Sequence, residues 1–134
     1  MKVMVKEVGK PLAVVDTKEK YFGDCVRCYL GKDITVERVY LDGMEFIMGA
    51  DEDGLMKQLP LNFLMSMPNP ICPIQYIVGT VVFARCKPCN PYEEEIWDFE
   101  VTDVTDEDIK RIEGYLSDIR QSSLRLAIKA MYSN

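Results

Sequence analysis

The period of the hydrophobic pattern changes along the chain, and the changes divide it into strands and helices. Two β-prone runs, Lys2 to Val8 and Leu12 to Asp16, are rich in valine and other apolar residues. Between them stands Gly9-Lys10-Pro11, a combination typical of a turn. The first sixteen residues therefore predict a β-hairpin.

Helical spacing follows the hairpin. Thr17-Lys18-Glu19-Lys20 resembles a helix start, and apolar side chains then recur about every three to four residues as far as Leu30. Gly31 is a residue that commonly ends a helix. We therefore expect one helix after the second strand, with Cys25 and Cys28 on one face of it.

A meander of strands is predicted next. Ile34 to Leu41 alternates between apolar and polar residues, Asp42-Gly43 is a turn, and Met44 to Met48 is the following strand. Asp51-Glu52-Asp53-Gly54 is a second strong turn sequence. We expect the short run Leu55 to Leu59 to continue the meander.

The middle of the chain contains its most apolar segment. Pro60 to Leu64 is interpreted as an irregular or short helical connector, and Met65 to Pro73, with three prolines, as a loop. Ile74 to Arg85 is apolar on both faces, which predicts one central strand. Trp97 to Thr102 alternates as a half-buried antiparallel strand does.

The last element is a helix. Thr105 precedes three acidic residues, which is typical of a capped helix N-terminus, and apolar residues at helical spacing continue to Met131. The predicted fold is α+β, one domain over residues 1–134. It has a mostly antiparallel sheet of about five or six strands, a short helix after the second strand, and a long C-terminal helix packed on the sheet.

Charge and composition argue against several classes of function. The net charge is −6, and no basic residue lies between Lys87 and Lys110, which argues against general nucleic-acid binding. Neither a signal peptide nor a membrane span is apparent, so we expect a cytoplasmic protein. Histidine is absent, which excludes the Ser-His-Asp triad and the Cys-His dyad.

Two Cys-x-x-Cys pairs are the most specific chemical motif. Cys25 with Cys28, and Cys86 with Cys89, could supply four thiolates from two short segments, a set that suits tetrahedral zinc. In a reducing compartment such pairs favour a metal over a structural disulfide. Two alternatives stay open. In one, the cysteines are small buried apolar residues. In the other, the second pair is a redox motif, which the following acidic run disfavours.

Short blocks of the chain match a known family in order. These are Met1 to Val5, Asp53 to Leu55 leading to Leu59 to Asn62, Ile77 to Val82, and Thr105 to Ile109. Together they resemble domain of unknown function 3846, found in Firmicutes, their phages and mobile elements. The resemblance implies a small α+β domain of phage or mobile-element origin. It brings no catalytic residue or cofactor, and the cysteine pairs are not part of its pattern.

These observations favour a non-enzymatic binding protein that acts on a host protein or a small signalling molecule. An anti-defence role is one function of this kind. The alternative is a structural zinc module built on the two cysteine pairs, and an enzyme that uses carboxylates or cysteine is a third hypothesis. Apolar residues lie on more than one face of the C-terminal helix beyond Ser122, which suggests self-association. No catalytic residue is singled out.

Overall fold

A computed structural model of the chain describes residues 1–86 and 101–132. Its elements, in chain order, are β1 (Lys2–Lys6), β2 (Ala13–Asp16), α1 (Phe22–Leu30), β3 (Ile34–Leu41), β4 (Met44–Asp51), β5 (Leu61–Ser66), β6 (Ile74–Val78), β7 (Val81–Cys86), β8 (Val101–Thr102), α2 (Asp106–Tyr115) and α3 (Asp118–Tyr132). The α+β class, the short helix after the second strand and the long C-terminal helix are confirmed.

The strands form two antiparallel sheets. In the larger one the order is β2-β1-β7-β4-β3, with β8 paired to the end of β7. Strands β5 and β6 form a separate two-stranded sheet. β7 is central in the larger sheet, as its apolar composition on both faces predicted.

Alternation along the central strands gives the larger sheet two apolar faces. One face contributes Met4, Phe46 and Phe83 to the first core cluster, and the other contributes Val5, Ile47 and Val82 to the second. The first cluster is completed by residues of β5, β6 and α2, and the second by residues of α1. The sheet is therefore a middle layer, covered by α1 on one side and by the β5–β6 sheet with α2 on the other.

The hairpin and α1 match the prediction except at the helix start. β1 and β2 pair antiparallel, with Val3 opposite Val15. Thr17 does not cap the helix, because its hydroxyl accepts a hydrogen bond from the Glu19 N–H in a local turn, and α1 begins only at Phe22. Gly31 ends α1 with a φ of 85°, which glycine adopts without strain.

Three predictions in the middle of the chain are wrong. The run Ile74 to Arg85 is two strands, because Gly79 takes a φ of 71° and turns the chain from the small sheet to the large one. The expected connector Pro60 to Leu64 lies largely in β5, which pairs with β6. The run Leu55 to Leu59 is not a strand of the meander, since residues 52–58 form turns.

The C-terminal helical region is interrupted once. Thr105 caps α2, as the three acidic residues after it predicted, and the structure shows that the cap is a capping box with Asp108. The break falls at Leu116-Ser117, where the Ser117 hydroxyl accepts a hydrogen bond from the Arg120 N–H at the start of α3. Of the predicted strand Trp97 to Thr102, only Val101–Thr102 belongs to the described residues, and it is β8.

Candidate functional site

The first cysteine pair lies on α1, and its two members have different surroundings. Cys25 is fully buried in the cluster between α1 and the larger sheet. Cys28, one helical turn later, is exposed, and its thiol donates a hydrogen bond to Glu19 Oε1 at 3.6 Å. The i, i+3 spacing therefore does not bring both thiols to the same environment.

Both thiols are held in their protonated form. Burial raises the pKa of Cys25, and a hydrogen bond from Thr17 opposes this only in part. The pKa of Cys28 is raised by partial desolvation and then by the hydrogen bond to the Glu19 carboxylate. Because the thiolate is the nucleophile and the metal ligand, neither cysteine is activated in this state.

The predicted zinc ligands are brought together only in part. Cys86, at the end of β7, is buried in the same apolar cluster as Cys25, so one member of each pair lies on the same side of the sheet. Cys28 is exposed instead, and Cys89 lies outside the described residues. Within residues 1–86 and 101–132, no three His, Cys, Asp or Glu side chains are grouped as a metal site.

A groove lies beside this helix, between α1 and the β1–β2 hairpin. Its volume is about 290 Å³. Its lining residues are Val5, Glu7, Lys10, Pro11, Ala13, Val15 and Tyr29. We call it the hairpin groove. Most of its wall is aliphatic, so it offers apolar contact to a small ligand.

Polar groups of the hairpin groove come from Glu7, Lys10 and Tyr29. Lys10 Nζ lies 2.9 Å from Glu7 Oε2, so a cation and a carboxylate are held together in the turn. Tyr29, on α1, is 42% exposed, and desolvation raises the pKa of its phenol, with smaller contributions from Cys25, Cys28 and Glu7. At neutral pH the phenol is therefore a hydrogen-bond donor or acceptor without charge.

Only one feature of the sequence points to this groove. Gly9-Lys10-Pro11 marked the hairpin turn that contributes Lys10 and Pro11 to the lining. Tyr29 is one of seven tyrosines in the chain, so nothing in the sequence distinguished it from the others. Only the packing of α1 across the hairpin places its ring at the groove.

The C-terminal helix presents a second unusual surface. Leu124 is its buried residue, and other large apolar side chains of α3 are exposed: Ile119 (83%), Leu126 (67%), Met131 (48%) and Tyr132 (79%). Apolar side chains therefore lie on more than one face of α3. Contiguous exposed apolar surface commonly marks a contact region, and of these residues Ile119 and Leu126, seven positions apart, share one side of the helix.

No family model matches the chain, and no curated protein or solved structure matches it. The resemblance to domain of unknown function 3846 therefore stays a prediction. Among the described residues, the helices are too short or too polar to cross a membrane.

Proposed function

We propose that this chain is a non-enzymatic, cytoplasmic binding protein of phage or mobile-element origin that acts on a host protein or a small signalling molecule, with an anti-defence role. The observation that carries the proposal is the hairpin groove, with its aliphatic wall, the Tyr29 phenol and the paired charges of Glu7 and Lys10. Of the two partner classes, the groove favours the small molecule.

The chemistry of the groove supports a ligand with one flat apolar part and one polar end. Val5, Ala13 and Val15 offer aliphatic contact, and the Tyr29 ring offers a surface on which a planar group can stack. Lys10 and Glu7 can exchange their mutual ion pair for contacts with a charged ligand group. A volume near 290 Å³ suits a molecule at the small end of the range that protein pockets hold.

The state of the cysteines supports binding over turnover. The pKa values of Cys25 and Cys28 are raised, whereas a catalytic thiol requires a lowered pKa. The chain also has no histidine that could act as a general base near neutral pH. These properties fit a protein that holds its ligand unchanged.

Filling the groove tests the proposal. The protein is purified from host lysate and analysed by native mass spectrometry, with a parallel pulldown for protein partners. We expect the wild-type chain to carry a small molecule and Ala13→Phe to carry none, because the phenyl group occupies the groove that Ala13 lines.

A neighbouring variant provides the matched control. Val14 follows Ala13 in β2, is partly exposed and lies on the other face of the strand, so Val14→Phe adds a similar bulk outside the groove. We expect Val14→Phe to retain the ligand. Absence of both a ligand and a protein partner from the wild-type chain would contradict the proposal.

A structural zinc module is the second candidate, and the shared cluster of Cys25 and Cys86 favours it. Zinc binding would deprotonate the thiols and draw the two segments together. Elemental analysis of the purified chain tests it: about one zinc per chain is expected. A metal-free chain whose thermal unfolding is unchanged by added zinc would exclude it.

A further inference from the structure

The outward side of α3 carries a regular seam. Ile119, Ser123, Leu126 and Ala130 are all exposed, and they follow one another at intervals of four, three and four residues. This spacing places them along one stripe of an α-helix, as at the a and d positions of a coiled coil. The buried Leu124 lies on a different side of the helix, toward the protein body. We call these four residues the α3 seam.

Charges beside the α3 seam are distributed unevenly along the helix. One flank carries Asp118, Ser122, Arg125 and Lys129, again at intervals of four, three and four residues. Asp118 is at the N-terminal end of this flank, Arg125 is at the middle of the helix, and Lys129 is near its C-terminal end. In an antiparallel pair of identical helices, a flank of this kind faces the same flank of the other helix.

We propose that the α3 seam pairs with the α3 seam of a second copy of this chain, in antiparallel orientation. The two-fold axis passes between Ser123 and Leu126. Ile119 then lies opposite Ala130 of the second copy, and Ser123 lies opposite Leu126. Asp118 of each copy lies beside Lys129 of the other, which gives two symmetric ion pairs.

Charge complementarity favours this occupant. In the antiparallel pair each Asp118 carboxylate lies beside a Lys129 ammonium group of the other copy, which gives two attractive contacts. The two Arg125 side chains face each other near the two-fold axis, where both are exposed and solvent screens their repulsion. Small residues of the α3 seam, Ser123 and Ala130, provide room for the larger Leu126 and Ile119 of the opposite helix. Large and small side chains thus alternate across the contact.

The contact is small. A helix of 15 residues is about 22 Å long. Two such helices bury less than about 1,200 Å² in total, which is typical of weak, reversible association. We therefore expect a monomer–dimer equilibrium that is visible only at high chain concentration. The hairpin groove lies on the opposite side of the larger sheet, so this inference is independent of the proposed ligand.

Sedimentation equilibrium of the full chain tests the pairing between about 10 μM and about 1 mM. We expect the wild-type chain to dimerise in this range. Leu126→Gln should raise the dimer dissociation constant about tenfold or more, because the apolar contact is lost twice per dimer. Met56→Gln is the matched control: Met56 is 86% exposed in the turn after β4, and its loss should leave dimerisation unchanged.

Charge exchange tests the orientation. Asp118→Lys or Lys129→Asp alone should raise the dissociation constant roughly three- to tenfold at low salt, and the double variant should restore it. Circular dichroism establishes that each variant keeps its helix content. A monomeric wild-type chain at the highest concentration, an unchanged dissociation constant in Leu126→Gln, or no restoration in the double variant would each overturn the proposal.

Discussion

The side chain of Gln121 in α3 forms hydrogen bonds with both backbone polar groups of Leu64 in β5. Its Oε1 accepts from the Leu64 N–H at 2.8 Å, and its Nε2 donates to the Leu64 carbonyl at 3.2 Å. Two residues further along β5, the Ser66 N–H donates to the Tyr115 hydroxyl at 2.7 Å. One edge of β5 pairs with β6. Side chains of the C-terminal helices form hydrogen bonds with the backbone of the other edge, as a neighbouring strand would.

We predict that Gln121→Glu destabilises the protein by about 1–3 kcal/mol. An ionised glutamate only accepts hydrogen bonds, so the Leu64 carbonyl loses its donor and faces a carboxylate oxygen instead. The free energy of unfolding from urea titration measures the effect. Gln75→Glu is the control, because Gln75 is exposed on β6, and it should change stability by less than about 0.5 kcal/mol. Equal losses in both variants would show that the amide of Gln121 has no special role.

A second prediction concerns Asp108, whose side chain is only 3% exposed. Its Oδ1 lies 2.9 Å from Arg85 Nη1, and its Oδ2 accepts from the Thr105 N–H at 2.9 Å, so one carboxylate joins β7 to the start of α2. Asp108→Asn leaves Arg85 without its counter-charge in a partly buried site. We expect a loss of about 2–4 kcal/mol in the free energy of unfolding.

Glu107 provides the comparison for Asp108. It is the preceding residue, is largely exposed, and pairs with Arg111 at 3.1 Å on the surface of α2. Glu107→Gln should cost no more than about 0.5 kcal/mol, because solvent screens this pair. If chemical denaturation gives the two variants the same stability, burial does not strengthen the Asp108 contact.

Turns and helix ends are the parts of the fold that the sequence predicts well. Each depends on the conformational preference of one or two residues, as in the hairpin turn at Gly9, the helix end at Gly31 and the cap at Thr105. Local sequence does not predict the strand β5, because Pro60 to Leu64 begins with proline and alternates only over Leu61-Asn62-Phe63. Its strand conformation depends on pairing with β6 and on Gln121, which is 57 positions from Leu64.

The candidate site was less predictable than the fold. The spacing of Cys25 and Cys28 suggested a shared environment, but the placement of α1 against the sheet buries one and exposes the other. The burial of a helix face depends on its partner, which in this case is β4 with Gly49 at the contact. The hairpin groove likewise arises from the position of Tyr29 relative to the hairpin, which no short motif encodes.

Gly49 permits the close approach of α1 to β4, and this leads to a third prediction. A Cβ at Gly49 would overlap the Val26 side chain, so Gly49→Ala should destabilise the protein by about 1–3 kcal/mol. Gly114→Ala should have the opposite effect, a gain of about 0.5–1 kcal/mol, because Gly114 lies within α2 and has open space at its Cβ position. Thermal and urea unfolding show whether each variant is more or less stable than the wild-type chain. A stabilising effect of Gly49→Ala would contradict the close contact between Gly49 and Val26.

A fourth prediction concerns stability in acid. Lys57 Nζ lies 2.9 Å from Asp51 Oδ2, and this hydrogen bond, with a smaller contribution from the Asp53 N–H, lowers the pKa of Asp51 below 3.8. A carboxyl with a lowered pKa in the folded state stabilises the protein above its unfolded pKa, and the stabilisation is lost as the pH falls through the folded pKa. Asp51→Asn should therefore lower the melting temperature at pH 7, and the difference should shrink as the pH falls below 3.8. A difference that persists unchanged into acid would contradict this linkage.

The final prediction uses the reactivity of the cysteines. Cys28 and Cys72 are exposed, whereas Cys25 and Cys86 are buried. Alkylation of the native protein should therefore modify the first two and reach the buried two only after denaturation, as peptide mass mapping can establish. The rate at Cys28 should rise with pH up to and beyond 9.0, because its raised pKa keeps the thiolate scarce at neutral pH. Protection of Cys28 that a chelator removes would instead indicate a bound metal, and rapid modification of Cys25 in the native state would contradict its burial beneath α1.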